Sequence, residues 1–318
     1  MLAFLIRRII IAIPVLLGIL ALTFILVQML PGDPATVLLT PEEMAGDPGL
    51  IERRRAELGL DRPLPVQYVA WLGELANGNL GTSFHRDVPV TEMIAPRVMP
   101  TLILSGTGIL IALLVGVPVG VTAALRQNTK LDYAAGVGSM LSVSVPTFFQ
   151  GLIAIYVFSI LLGWFPSGGM RTLGVPATGF DLLKHLILPA AVLSAVLMGP
   201  YVRYTRQSLL DVLRLDHVTT AKAKGVPYWG VVVKHALRNS LIPLTTVLAV
   251  QIPALLAGTV IIEYVFSWPG MGRLVIEGIN SRDYPVILAV VMITAVLVLV
   301  FNFLADVIAA ILDPRIRL

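Results

Sequence analysis

TTAKAKGVPYWGVVVKHALRNSLIP, residues Thr219–Pro243, decides how the rest of the chain is read. It is basic and polar, yet its second half runs straight into apolar sequence. Upstream, from Tyr204, the residues Leu209, Val212 and Leu213 recur at i, i+3 and i+4, the spacing of an amphipathic helix. Gly225 follows that helix and Pro227 comes two residues later, a glycine-then-proline stop signal. A second helical run starts at Tyr228. The stretch therefore predicts a helix–turn–helix elbow over about 205–240, projecting from whatever buries the apolar sequence on either side. Small residues at its tip (Thr219, Thr220, Ala221, Ala223, Gly225) would let another backbone approach closely. Two readings stay open on these residues alone: a solvated basic loop held at an anionic lipid leaflet, and a docking surface for a soluble partner.

Outside the elbow the chain is oily. Of its 318 residues 57% are hydrophobic and 13% charged, whereas a soluble domain carries about 25% charged residues. A helix crossing ~30 Å of hydrocarbon needs ~20 mostly apolar residues. Six runs qualify: Ile9–Leu30, Thr101–Leu125, Ala134–Leu162, Leu186–Val202, Leu241–Ile262 and Val286–Ala305. The expectation is an all-α integral membrane protein with six transmembrane helices and a long external segment after the first. The first run exceeds a signal-peptide core and ends at PGDPA (Pro31–Ala35) with no A-x-A site, so it reads as an uncleaved span.

Lys and Arg in short loops set the orientation. With the N-terminus inside, the inner loops and ends hold Arg7, Arg8, Arg126, Lys130, Arg203, Arg206, Arg214, Lys222, Lys224, Lys234, Arg238, Arg315 and Arg317. The short outer loops hold only Arg171, Lys184, Arg273 and Arg282. Both termini are therefore expected in the cytoplasm. The net charge of +4 is small and no basic soluble domain carries it, so nucleic acid is not an expected partner. Cysteine is absent, which excludes disulfide and thiolate chemistry.

None of the six runs contains Asp, Glu, Lys, Arg or His. Ionisable residues at membrane depth mark proton relays and ion sites, so their absence argues against a proton-coupled secondary carrier. The four histidines (His85, His185, His217, His235) lie outside the runs with no metal-type pairing, and no buried carboxylate pair points to an intramembrane enzyme. Proline does occur within the runs, at Pro14, Pro118, Pro146, Pro243 and Pro253, as packing kinks or flexing points. Only neutral polar residues could line a pathway. At about 100° per residue, Ser139, Ser142, Thr147 and Gln150 fall within about 140° of arc on the third run, and Thr245, Gln251, Gly258 and Thr259 do the same on the fifth. The competing reading is polar glue between helices.

Segment 31–100 is too long for a connector. Tyr68 and Trp71, three residues apart, suit a membrane–water interface; the segment reads either as a lid or as part of an external docking surface. WPGMG (Trp268–Gly272) reads as a turn, with Trp268 and Met271 as further candidates for that surface. Glu263, at the end of the fifth run, reads as a gate or an interface anchor.

TTAKAKG, followed after a gap by Ile242–Pro243, resembles the loop motif of bacterial ABC importer permeases, E-A-A, three residues, G, then an I-x-L-P-like end. Thr219 and Thr220 stand at the first two positions, so the glutamate is missing; the dipeptide/oligopeptide branch of the family often departs there, which favours that branch. RRIIIAIPVLLGILALTFILVQMLPGDPA, LGLDRPLPVQYVAWLGELANGNLGTSF, PVTEMIAPRVMPTLIL, FSWPGMGRLVIEGINSRDYPVI and the tail LDPRIRL also resemble that branch, in order along nearly the whole chain. The resemblance implies a type I ABC importer transmembrane domain in the bacterial inner membrane. It is expected to divide as 1–96 (first helix and external segment), 97–312 (five-helix domain) and 313–318 (tail). The implied partners are a second homologous permease in a heterodimer, two cytoplasmic ATPases and an extracytoplasmic solute-binding protein, beside membrane lipid. ATP and Mg would bind on the ATPases, leaving no cofactor or metal on this chain; no G-x-x-x-x-G-K-[ST] loop is present. The ATPase contact would fall on Thr219, Thr220, Ala221, Lys222, Ala223, Lys224, Gly225 and Val226. The implied cargo is a di- or oligopeptide, with nickel chelate, glutathione or oligosaccharide as the alternative.

Overall fold

The computed structural model describes residues 2–30, 34–37, 47, 49–176, 178–240 and 259–312. Its elements are helices: α1 (Leu2–Gln28), α2 (Leu50–Glu57), α3 (Leu64–Ala76), α4 (Val90–Leu125), α5 (Lys130–Ser144), α6 (Thr147–Ala154, continued by a π-helical stretch Ile155–Leu161), α7 (Gly179–Leu213), α8 (Asp216–Ala223), α9 (Tyr228–Gly230, running on through Val231–Ser240), α10 (Met271–Ser281) and α11 (Tyr284–Leu312). Backbone in hydrocarbon has no water to bond, so it satisfies its own N–H and C=O groups within each helix.

Four described helices are long and apolar enough to span a membrane, over Ile10–Gln28, Val90–Leu125, Gly179–Leu213 and Tyr284–Leu304. They hold the first, second, fourth and sixth apolar runs. The fifth run, 241–262, lies outside the described residues up to 258; residues 259–265 are helical. Helices α4 and α7 contain 36 and 35 residues. At ~1.5 Å per residue each exceeds ~50 Å, so both overhang the hydrocarbon and carry polar residues such as Glu92 and Arg206 on the same rods. Counting apolar residues found the membrane portion and missed the overhangs.

The third run is not one straight span. α5 and the 147–161 segment meet at 102°. Pro146 cannot continue a helix and pushes the residue before it towards extended backbone; Val145 has φ −84° and ψ 126°. The carbonyls exposed at the break are met by Gln150, whose Nε2 donates to the Ser142 and Val145 oxygens at 3.0 and 2.8 Å. Pro14 sits inside α1, Pro118 inside α4, and Pro189 and Pro200 inside α7, without ending them. Pro243 and Pro253 lie outside the described residues.

The chain divides into two compact units, with α4 and α11 contributing to both. In the first, residues 101–269 and 300–318, the core centres on Leu104, Leu193, Leu197, Tyr201, Ile262, Phe266 and Trp268. Here α4 and α7 touch backbone to backbone: a Cβ at Gly120 would lie 2.7 Å from the Thr205 Cβ and from the Val202 carbonyl oxygen. An ion pair ties α5 to α7, Arg206 donating from Nε and Nη2 to Asp132 at 2.5 and 2.8 Å. The Asn128 amide donates to the same carboxylate.

The second unit comprises residues 2–100 and 270–299. One cluster joins Val90 and Ile94 of α4 to Met271 and Leu274 of α10 and to Val286, Ala289 and Val290 of α11. Another packs Phe24 and Val27 of α1 on Tyr284, Ile287 and Leu288, with Tyr68, Trp71 and Phe84 alongside. A tight turn over 82–89, closed by Ser83 N to Val88 O and Val90 N to Gly81 O, is pinned by buried Asp283. That carboxylate accepts from the Ser83 hydroxyl and from the Phe84 and His85 amides.

Candidate functional site

The elbow is built by a change of helix direction that the sequence writes residue by residue. α7 ends at Leu213, and α8 starts after Leu215 with Asp216 in its first turn, where a carboxylate suits the helix dipole. Val218 and Ala221, three residues apart, turn inwards onto Leu209, Leu210, Val231, Ala236 and Ala124. This leaves Thr219, Thr220, Lys222, Ala223, Lys224 and Gly225 exposed on the other face. The helix stops where expected. Gly225 takes φ +76°, its amide bonds the Lys222 carbonyl at 3.0 Å, and the Val226 amide reaches back to the Ala221 carbonyl at 3.3 Å. This is a Schellman closure, with Val226 packed inwards to complete it. Of the eight residues marked for the ATPase contact, six therefore form the open face, whereas Ala221 and Val226 belong to its underside.

Two further bonds brace the elbow. His217 Nε2 lies 3.3 Å from Asn239 Nδ2, and the Ser208 hydroxyl donates to the Ser240 carbonyl at 2.8 Å. Sequence reasoning missed a neighbouring feature. Tyr228 and Trp229 stand 57% and 66% exposed, rings edge to face at 5.6 Å. An aromatic pair immediately after a helix stop, inside a polar segment, was the available signal.

The pathway candidates are separated. Ser139 is buried, and its hydroxyl donates to the Ala135 carbonyl while that of Ser142 donates to the Ser139 carbonyl. Both serines abut α7 at Gly199, the arrangement of helix packing. The bend removes the common arc that an unbroken third helix would have given them with Thr147 and Gln150, and Gln150 is engaged by the break itself. Thr259 is buried; Thr245, Gln251 and Gly258 lie outside the described residues.

The docking candidates divide too. Tyr68 and Trp71 are half-buried beside Phe24, and the Tyr68 hydroxyl donates to the Leu17 carbonyl at 3.2 Å. Trp268 is 0% and Met271 4% exposed, each inside the core of its own unit, so neither side chain is presented to a partner here. The turn around them buries its aromatic rather than displaying it. Glu263 is also fully buried, accepting from the Thr101 hydroxyl at 2.7 Å.

Comparison with known proteins meets this geometry from outside. Residues 116–318 match the family model described as binding-protein-dependent transport system inner membrane component, and residues 1–105 match the N-terminal model of the same systems. The chain is 44% identical to the oligopeptide transport system permease protein AppB of Bacillus subtilis over 318 residues, covering all of both chains. It is 40% identical to the di/tripeptide transport system permease protein DppB of Pseudomonas aeruginosa, over all of this chain and 99% of that one. It is 38% identical to the glutathione transport system permease protein GsiC of Salmonella choleraesuis, with the same coverage. Among solved structures, a chain of the MetNI methionine ABC transporter superposes with a TM-score of 0.58 at 17% identity, covering 70% of this chain and 97% of that one; at that identity the likeness concerns the fold. With its apolar helices, its elbow and these relatives, the chain belongs to the binding-protein-dependent transport system inner membrane components, the membrane-embedded permease subunits of ABC importers.

Proposed function

We propose that this chain forms half of the translocation pathway for di- or oligopeptides. It would pair with a second, homologous permease in the bacterial inner membrane, with both termini in the cytoplasm. The observation that carries the reading is the elbow: an exposed face of Thr219, Thr220, Lys222, Ala223, Lys224 and Gly225 over a buried underside that is continuous with α7. A displacement imposed on that face moves a helix long enough to cross the membrane. Two ATPases supply the displacement from the cytoplasm, and a solute-binding protein delivers cargo outside, with Tyr68 and Trp71 at the outer rim. The exposed apolar face of α5 and α6, including Val137, Met140, Phe148 and Leu152, suits lipid and the second permease. The domain division at about 97, with a short tail after 312, goes with this reading, in which Thr147 at the bend would stand on the pathway.

Glutathione is the second reading, supported by the 38% identity to GsiC. Reconstitution of the chain with its partner permease, ATPases and binding protein separates the two. ATP-driven uptake of labelled tri- to pentapeptides at rates well above glutathione supports peptide cargo; the reverse order overturns it. In the same vesicles Gly225→Asp is expected to cut uptake at least about tenfold while leaving assembly intact, because a charge on the elbow face blocks close docking. Uptake at the unmodified rate would remove the coupling role.

A further inference from the structure

The second unit holds its arginines unevenly. Arg97 Nη2 and Arg86 Nη2 both approach Glu277 Oε2, at 3.2 and 3.8 Å, while Arg273 Nε donates to Oε1 at 2.9 Å. One carboxylate thus has both its oxygens committed, and the two guanidiniums on Oε2 are not equal. Arg97 is hydrogen-bonded and mostly buried. Its Nη1 is sealed from solvent with no acceptor among the described residues. Arg86 stands at ion-pair distance only, and its half-exposed side chain makes no hydrogen bond among the described residues. A guanidinium offers five donors in a planar fork that matches a carboxylate bidentately.

The backbone of Arg86 is held in place. It lies on the 82–89 turn, whose backbone is fixed by buried Asp283 at Ser83, Phe84 and His85. Its own amide donates to the Ser83 hydroxyl at 3.0 Å. Beside it opens a cavity of mixed lining, with His85, Arg86, Glu277 and Asn280 set among the apolar side chains of Leu274 and Val286. The neighbouring Asp87 forms no ion pair among the described residues, its backbone turning at φ +53°. A cationic fork on a fixed backbone, backed by a second and under-satisfied guanidinium and opening on a cavity of mixed lining, is complementary to one more negative group.

We propose that Arg86, with Arg97 behind it and His85 and Asn280 at its sides, receives an acidic side chain of the external solute-binding protein. The inference rests on the importer reading and on the orientation that places this turn outside. The side chain belongs to the binding protein rather than to cargo because Arg86 sits on a loop tip before α4, outside the apolar runs, where a docking protein meets it first. Rim charges of this kind set encounter rate and salt dependence.

The test uses the whole importer in proteoliposomes and its purified, ligand-loaded binding protein, reading the half-maximal concentration for stimulation of ATP hydrolysis at about 50 and about 300 mM salt. Arg86→Glu is expected to raise that concentration about tenfold at low salt, to flatten its salt dependence, and to leave unstimulated hydrolysis unchanged. Arg86→Lys falls between it and the unmodified chain, and an acidic-to-lysine exchange on the binding protein restores Arg86→Glu. If Arg86→Glu fails to assemble, Arg86→Gln carries the test with a loss of about threefold. A variant that assembles and titrates like the unmodified chain overturns the inference. So does a variant with normal binding-protein titration that loses uptake of free peptides but keeps that of C-terminally amidated ones, since the carboxylate would then be the cargo's. An unmodified importer that ignores its binding protein would instead overturn the function proposed above, and this contact with it.

Discussion

The 82–89 turn and the tip of the elbow, residues 214–227, both link longer helices, yet they are secured by opposite means. The turn hangs on one buried carboxylate: Asp283, 2% exposed, takes three donors from three consecutive residues. The elbow hangs on apolar contact: Val218 and Ala221 press onto Leu209, Leu210 and Val231. Hydrogen bonds to a charge are directional and fix orientation, whereas apolar burial is non-directional and fixes position alone. A surface that must present one side chain at one angle gains from the first. A surface that must follow a moving partner without losing its underside gains from the second. The difference suits the receiving role proposed for the turn and the transmitting role proposed for the elbow.

The comparison breaks if removing the two anchors has equal effects. Asp283→Ala leaves a hydroxyl and two amides without their acceptor in a buried site, and a loss of about 3–5 kcal/mol is expected, read as a lowered unfolding midpoint in detergent. A loss near zero would mean that the turn is held by something other than this carboxylate. Val218→Ala removes two methyl groups from a fully buried position, and about 2 kcal/mol is expected from the same measurement. Its sharper consequence is graded: uptake falls in step with stability, since a looser underside transmits less. Gly225→Ala adds a methyl group that meets nothing within 4 Å, so the cost is that of left-handed backbone, about 1 kcal/mol. Gly225→Asn, which tolerates that backbone, should recover most of it. Equal stability losses for Ala and Asn would show that φ is not what the position requires.

The membrane class, the helical architecture and the elbow were legible because each is written in local pattern: run length, the three-and-four spacing at Leu209–Leu213, and glycine then proline after Lys224. Gly225 reads directly as a C′ residue and adopts that geometry. What stayed hidden depends on pairs distant in the chain. No local rule joins Asp132 to Arg206 or Asp283 to Ser83, and nothing at Trp268 announces that its ring is buried rather than displayed. The bend at Pro146 was available, since proline and its predecessor disfavour helix, but a count of apolar residues passes through it. Hence the shared arc drawn for Ser139, Ser142, Thr147 and Gln150 assumed a rod that the backbone does not make.

The contact of α4 with α7 at Gly120 has a consequence for how this sequence can drift. A first side-chain carbon there would overlap both a side chain and a carbonyl of the facing helix, so every replacement fails for the same reason and chemical similarity gives no protection. At Gly136 and Gly138 on α5 the same carbon meets nothing within 4 Å. Saturation mutagenesis of this gene should therefore return a flat, uniformly intolerant column at position 120. At 136 and 138 it should return graded columns, ordered by helix propensity and by whatever neighbour covers them. The glycines of one membrane protein thus divide into those the fold forbids to change and those it merely happens to hold.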